Sequence, residues 1–314
     1  MNRLKIIKNR SDIGAGTRGS DLGVDALEIA AINRENDFFH RHPYVDVPTH
    51  NESIYDKVKN TFAKRIGFVA EQCERLADVT KMVLNQNHFP LVISGDHSSA
   101  LGTLAGIKQA YPDKTIAAIW IDAHADLHTP LSSPSGNVHG MPLAAALGLD
   151  NEAYAVNQVT PQTILSWNQI KNMGRSTPIL LPQHLIYFGL RSTETAENKI
   201  ISEKNIRVYP VHEVRHRSIE TCLNEVLKQL DSVDLIYLSF DVDALDCDLV
   251  SKGTGTPVSM GFAPDEVQQI IQSFIDSKKL CCLEVCEINP LLDEKGNSMA
   301  ETVFDILDNC LSAV

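Results

Sequence analysis

The chain has 314 residues and a net charge of −12, with 43% hydrophobic and 22% charged residues. That balance belongs to a soluble globular protein and excludes a disordered chain, a collagen-like chain and a small disulfide scaffold. No Lys/Arg cluster is long enough for a nucleic-acid partner, and no apolar run approaches the roughly 20 residues of a membrane-spanning helix. The N-terminus lacks the apolar stretch of a signal peptide. The seven cysteines contain no CxxC pair, which argues against a disulfide framework or thiolate zinc site and fits a reducing cytoplasm.

The first notable segment in chain order, IGAGTRGSDLG, carries Gly14, Gly16, Gly19 and Gly23. A phosphate-cradling loop is the tempting reading, but no GKS/T follows it. Val58, Phe62, Ile66, Val69, Cys73, Leu76 and Val83 recur at three- and four-residue steps, with one longer gap, predicting a helix with one apolar stripe. Residues 90–94 predict a strand that runs into SGDHSSALG, where His97 emerges at a Gly-containing turn before a helix. Asp96 or Ser98 would cap that helix.

Residues 115–122 predict a central strand ending in IDAHADLHTP. Asp122, His124 and Asp126 are spaced two apart, so in extended chain they share one face. Two carboxylates and an imidazole meeting at a strand end would be underpaired without a cation. A solvated acidic loop is the alternative, disfavoured by the strongly apolar strand before it. Residues 148–183 form the least regular stretch, read as a surface connection with one short helix after Pro161.

Further strands are predicted at 185–189, 235–240 and 280–288. The second of these runs into SFDVDALD, where Ser239, Asp241 and Asp243 share a face and Asp246 would cap a turn. Pro264 opens a helix that buries Val267, Ile270, Ile271 and Phe274. Cys281, Cys282 and Cys286 are expected to serve core packing. A last helix opens with Ser298 and Glu301 at capping-box spacing and buries Val303, Ile306, Leu307 and Cys310. Apolar strands alternating with amphipathic helices predict an α/β fold. The expected architecture is a single domain over 1–314, a doubly wound, mostly parallel sheet with helices on both faces.

His97, Asp122, His124, Asp126, Asp241 and Asp243 are six candidate ligands, each at the carboxyl end of a strand, where open parallel sheets build their sites. Four carboxylates and two imidazoles are too many for one zinc, and their oxygen-rich character suits Mn²⁺ or a similar hard divalent ion. Two such ions would bring the pKa of a bridging water towards neutrality, which implies metal-assisted hydrolysis.

The motifs GDHS, DAHAD, SFDVDALD, TGTP and EINP, in this order, resemble the ureohydrolase family of arginases, agmatinases and formimidoylglutamases. The likeness runs from about residue 14 to 290, and the loop SPSGNVHGMP is most similar to that of arginases. The resemblance implies an arginase/deacetylase-like fold with two Mn²⁺ per chain. Metal-bound hydroxide would cleave the guanidino group of L-arginine to give L-ornithine and urea. It implies that His97, Asp122, Asp126 and Asp241 hold one ion and that His124, Asp122, Asp241 and Asp243 hold the other. His139 would shuttle protons and Glu287 would bind the guanidinium, with Thr256 beside the same pocket. Ser135 and Asn137 would grip the substrate α-carboxylate, and Glu194 would lie near the α-ammonium. The glycine-rich segment would be the family's surface loop after a first strand, and a homo-oligomer, trimer or hexamer, is implied.

The chain departs from the family pattern at His128, which replaces an Asn that helps recognise the α-carboxylate, and in CDLVSKGTGTP (247–257), which is one residue longer than usual. The alternatives are a ureohydrolase acting on agmatine, guanidinobutyrate or formiminoglutamate, a one-metal zinc deacetylase, and a non-catalytic relative.

Overall fold

The computed structural model describes residues 3–312; the first two and last two positions of the expected 1–314 domain lie outside the described residues. Eight strands form one sheet: β1 (Leu4–Asn9), β2 (Tyr44–Asp46), β3 (Phe89–Ser94), β4 (Ile116–Ile121), β5 (Leu185–Phe188), β6 (Arg207–Tyr209), β7 (Leu235–Asp241) and β8 (Leu280–Cys286). Their order is β2-β1-β3-β8-β7-β4-β5-β6, and every pairing is parallel. Parallel strands need crossovers, and these place helices on both faces.

One face is covered by α1 (Gly23–Asn33), α2 (Phe38–Arg41), α8 (Val211–Arg217), α9 (Ile219–Gln229), α10 (Pro264–Asp276) and α11 (Ser298–Leu311). The other carries α3 (Ile66–Asn85), α4 (Ala100–Ala110), α5 (Pro142–Ala146), α6 (Pro161–Lys171) and α7 (Thr195–Glu203). Each face has its own apolar core, so the expected doubly wound architecture is observed. No helix among the described residues is long and apolar enough to cross a membrane.

The structure corrects three expectations and adds two strands. The helix expected from Val58 begins at Ile66, because Arg65 takes a left-handed φ of 56° at its start and the preceding residues pack on the loop 133–139, with Lys64 N donating to Gly136 O at 2.8 Å. Ser298 and Glu301 do not form a capping box: Asn297 is the cap position, its carbonyl accepts the Glu301 N–H, and its amide reaches Ala26 O. The glycine-rich segment is a surface loop only in part: Gly16 and Thr17 are exposed. Gly14 and Gly19 are buried, and Gly14 N donates to Asp96 Oδ2 at 2.8 Å beneath the strand ends. β2 and β6 were not expected; each is an edge strand of three residues with partly exposed side chains, a weak pattern. β1 was implied only through the loop that follows it, since Lys5 and Lys8 interrupt its apolar run. Lys8 is buried with its ammonium 2.6 Å from Glu28 and over the Tyr44 ring.

Candidate metal centre and its cavity

The carboxyl ends of the four central strands, β3, β8, β7 and β4, converge on one point. At the end of β3, Gly95 turns so tightly that a Cβ would lie 2.2 Å from Ser11 O. Asp96 accepts the Ser98 N–H and starts the short turn His97–Ser99. His97 is thereby laid on Trp120 of β4, with ring centroids 4.0 Å apart and planes 7° from parallel. Its Nε2 lies 2.8 Å from Ser239 Oγ, which leaves Nδ1 facing the carboxylates.

Beyond β4, Asp122, His124 and Asp126 all reach this point, but not through uninterrupted extended chain. The chain bends after Ile121, His124 bridges to Ser192, and Asp126 takes a φ of 52°. Asp241 ends β7, and its Oδ1 accepts the N–H of Asp243 in the following turn at 2.9 Å.

His97 Nδ1 lies 3.0 Å from both Asp122 Oδ2 and Asp126 Oδ2 and 3.2 Å from Asp241 Oδ2. His124 Nδ1 lies 2.9 Å from Asp243 Oδ2 and 3.6 Å from Asp122 Oδ1. Three overlapping groups each bring their ligand atoms within 4.8 Å: His97, Asp122 and Asp126; Asp122, His124 and Asp243; and His97, Asp241 and Cys286. Asp122 thus offers one oxygen to each side. The third group adds Cys286, which the sequence pattern assigned to packing. Only its register pairing with Asp241 on the neighbouring strand brings it there, and the sequence carries no signal of it.

The donor set fits divalent cations. His97 Nδ1, Asp122 Oδ2 and Asp126 Oδ2 are buried with no aligned hydrogen bond, although they lie about a hydrogen-bond length apart. They converge on a shared point rather than on each other. The electrostatics agree. Burial and the neighbouring Asp122 push Asp126 up to about 7. Burial, Asp243 and Asp122 push Asp241 well above the ordinary carboxylate value. A cation between these groups would relieve both the desolvation and the repulsion.

Glu287 follows β8 with a φ of 65° and is buried. Its Oε1 accepts the His97 N–H at 3.0 Å and lies 2.9 Å from His139 Nδ1. Burial alone would lower the His139 pKa, but Glu287, with Asp96 and Asp126 behind it, outweighs burial and holds the imidazole at about 9. Against its own burial, Glu287 is held below its ordinary value by His139. Glu287 Oε2 faces Gly255.

A cavity of about 310 Å³ opens above these groups, lined by His97, His124, Asp126, His128, Ser135, Asn137, His139, Gly140, Ser192, Thr193, Glu194, Glu197, Asp241 and Thr256. The expected positions His128, Ser135, Asn137, Glu194 and Thr256 are on it, whereas Glu287, expected to bind the guanidinium, is not among its lining and is buried behind His139 and His97. Thr256 Oγ1 donates to Asp243 Oδ2 at 3.1 Å, so the unusual 247–257 segment still delivers it. His128 is nearly buried, and its Nε2 lies 3.6 Å from Glu194 Oε2 and from Glu197 Oε2. Glu197 was not singled out from the sequence. Its signal is its position three residues after Glu194, where it caps α7 by accepting the Glu194 N–H at 3.0 Å.

The sequence model described as the Arginase family matches residues 3–312. The arginase of Bacillus subtilis (strain 168) is 33% identical over 311 residues, covering 98% of this chain and 97% of that protein. The native structure of arginase from Bacillus caldovelox superposes with a TM-score of 0.85 at 32% identity, covering 100% of this chain and 99% of that one. Arginase of Entamoeba histolytica, solved in complex with L-ornithine, gives a TM-score of 0.81 at 27% identity, covering 97% of both chains.

Proposed function

The chain belongs to the arginase family, and from that premise we propose that it is a Mn²⁺-dependent hydrolase of L-arginine, forming L-ornithine and urea. The observation that carries this reading is one cavity lined both by members of the cation-fitting cluster, His97, His124, Asp126 and Asp241, and by Ser135, Asn137 and Glu194. Family members are hydrolases of guanidino C–N bonds, and one structural neighbour was solved with L-ornithine.

In this reading His97, Asp122, Asp126 and Asp241 hold one ion, and His124, Asp122, Asp241 and Asp243 hold the other. Asp122, with one oxygen towards each histidine, and Asp241 would be shared by the two sites. When bound, such ions supply Lewis acidity and bring the pKa of water towards neutrality. Glu287 orients the planar guanidinium through its free Oε2, as a carboxylate matches paired N–H donors. With Nδ1 held by Glu287, His139 delivers a proton to the departing amine from Nε2. Thr256 holds Asp243 in place. Ser135 and Asn137 donate hydrogen bonds to the α-carboxylate, His128 lies beside them, and Glu194 receives the α-ammonium. A protein of this kind would work as one domain over 1–314, in the cytoplasm, where its seven free cysteines stay reduced, and as a homo-oligomer, trimer or hexamer, by family likeness.

The test is urea release from L-arginine, agmatine and guanidinobutyrate, and formamide release from formiminoglutamate, with Mn²⁺ added. L-arginine should be the preferred substrate. Preference for another compound would move the chain to another branch of the family.

A further inference from the structure

We propose that Lys64 is a specificity-determining positioning residue, which orients Asn137 and places a positive charge behind it for a substrate carboxylate. The inference rests on the L-arginine reading and adds to it a residue outside the cavity wall.

The problem it answers is electrostatic. Glu194 and Glu197 line the cavity together with Asp126 and Asp241, whose charge the proposed cations would neutralise, and no lysine or arginine lines it. Such a cavity attracts a guanidinium and an ammonium but repels the carboxylate of an α-amino acid. A cation close behind the neutral donors of the 133–139 loop would offset the repulsion from the two glutamates.

Lys64 supplies it. Its Nζ donates to Asn137 Oδ1 at 3.0 Å, across 73 residues of chain. Among the described residues it is the one Lys or Arg whose side chain hydrogen-bonds a residue lining the cavity. An ammonium only donates, so the Asn137 oxygen must face Lys64 and the amide must present its two N–H donors elsewhere. That far side is kept open by Gly16, where a Cβ would lie 2.5 Å from Asn137 Nδ2. The amide is thus fixed as a donor, polarised by a positive charge on its oxygen, and such charge-assisted arrangements strengthen the bond made at the other end. The loop is pinned from the same segment: Lys64 N donates to Gly136 O at 2.8 Å, and Ser135 Oγ accepts the Asn137 N–H at 3.2 Å.

The experiment compares L-arginine with agmatine, which lacks the carboxylate, in Mn²⁺-loaded wild type, Lys64→Met and Lys64→Arg. Lys64→Met should raise KM for L-arginine about tenfold, the scale of a weakened hydrogen bond to a charged group. kcat for L-arginine should stay within about twofold, and so should kcat/KM for agmatine. Lys64→Arg, which keeps the charge and the donors, should recover most of the loss. An unchanged KM for L-arginine in Lys64→Met would overturn the proposal. So would an equal loss on both substrates that Lys64→Arg does not repair, because that is the mark of a merely structural role. A wild type that uses agmatine as well as L-arginine would instead overturn the substrate reading, and the carboxylate role with it.

Discussion

His139 Nδ1 lies 2.9 Å from Glu287 Oε1, and the same oxygen accepts the backbone N–H of His97 at 3.0 Å. This pair makes the metal-free protein pH-dependent. His139 is held at about 9 in the folded chain, above its ordinary 6.5. Its contribution to stability is therefore complete below about pH 6.5 and is lost as pH rises through about 9. Thermal unfolding of chelator-treated wild type and His139→Asn should show a gap in Tm that is widest near pH 6 and closes above about pH 9. A gap that stays constant to about pH 10 would refute the pairing.

Asp122 turns one carboxylate oxygen towards His97 and the other towards His124. Asp122→Asn should therefore lose metal from both sides, whereas Asp126→Asn, which meets only the His97 group, should retain part of it. Elemental analysis after dialysis reads the difference directly. One tightly held zinc in wild type, with no response to Mn²⁺, would sink the two-ion reading.

His139→Ala should lower turnover by about 10²-fold and leave residual activity, since activation of water by bound ions does not depend on proton transfer by this side chain. Activity should rise with pH as the attacking water ionises. Turnover equal to wild type at every pH would remove His139 from the chemistry.

His128 Nε2 sits 3.6 Å from two glutamates, beyond good hydrogen-bond length from either. An amide at this position is shorter and brings both a donor and an acceptor. His128→Asn should lower KM for L-arginine several-fold, while wild type still prefers L-arginine over agmatine by about tenfold or more, the worth of bonds to the carboxylate. A higher KM in His128→Asn would show that the imidazole is itself the better contact.

Gly136 has a φ of 70°, and a Cβ there would lie 2.0 Å from Thr61 O. Both the left-handed backbone and the close approach require glycine. Gly136→Ala should destabilise the fold by about 1–3 kcal/mol and weaken L-arginine binding by displacing Ser135 and Asn137. Urea unfolding and KM together check it; a variant normal in both would mean that the loop relaxes at no cost.

The central strands were legible because burial on both faces leaves unbroken runs of Ile, Leu and Val, as in IAAIWI of β4. The ligands were legible because each follows such a run. Less legible was anything decided by contacts between distant segments. Lys8 hides in β1 by reaching Glu28, so its charge reads as exposure. Arg65 ends the apolar stripe through a backbone conformation that leaves no mark in hydrophobic spacing. Cys286 reads as core from its neighbours in sequence, and only its place opposite Asp241 across two strands brings it to the cluster.

The order of the central strands also governs when the cluster can exist. Ala123 N donates to an Asp243 oxygen 120 residues away, and Glu287 accepts from His97 across 190. Contacts so far apart demand loop closure before they repay it, which slows folding. At ribosomal rates of about 5–20 residues per second, about 10–40 s separate the synthesis of His97 from that of Glu287. For most of that interval the nascent chain carries part of a cluster, with Asp122 and Asp126 lacking first Asp241 and Asp243 of the β7 end and then Glu287 after β8. The cluster is thus a late product of synthesis, assembled from groups laid down at widely separated times.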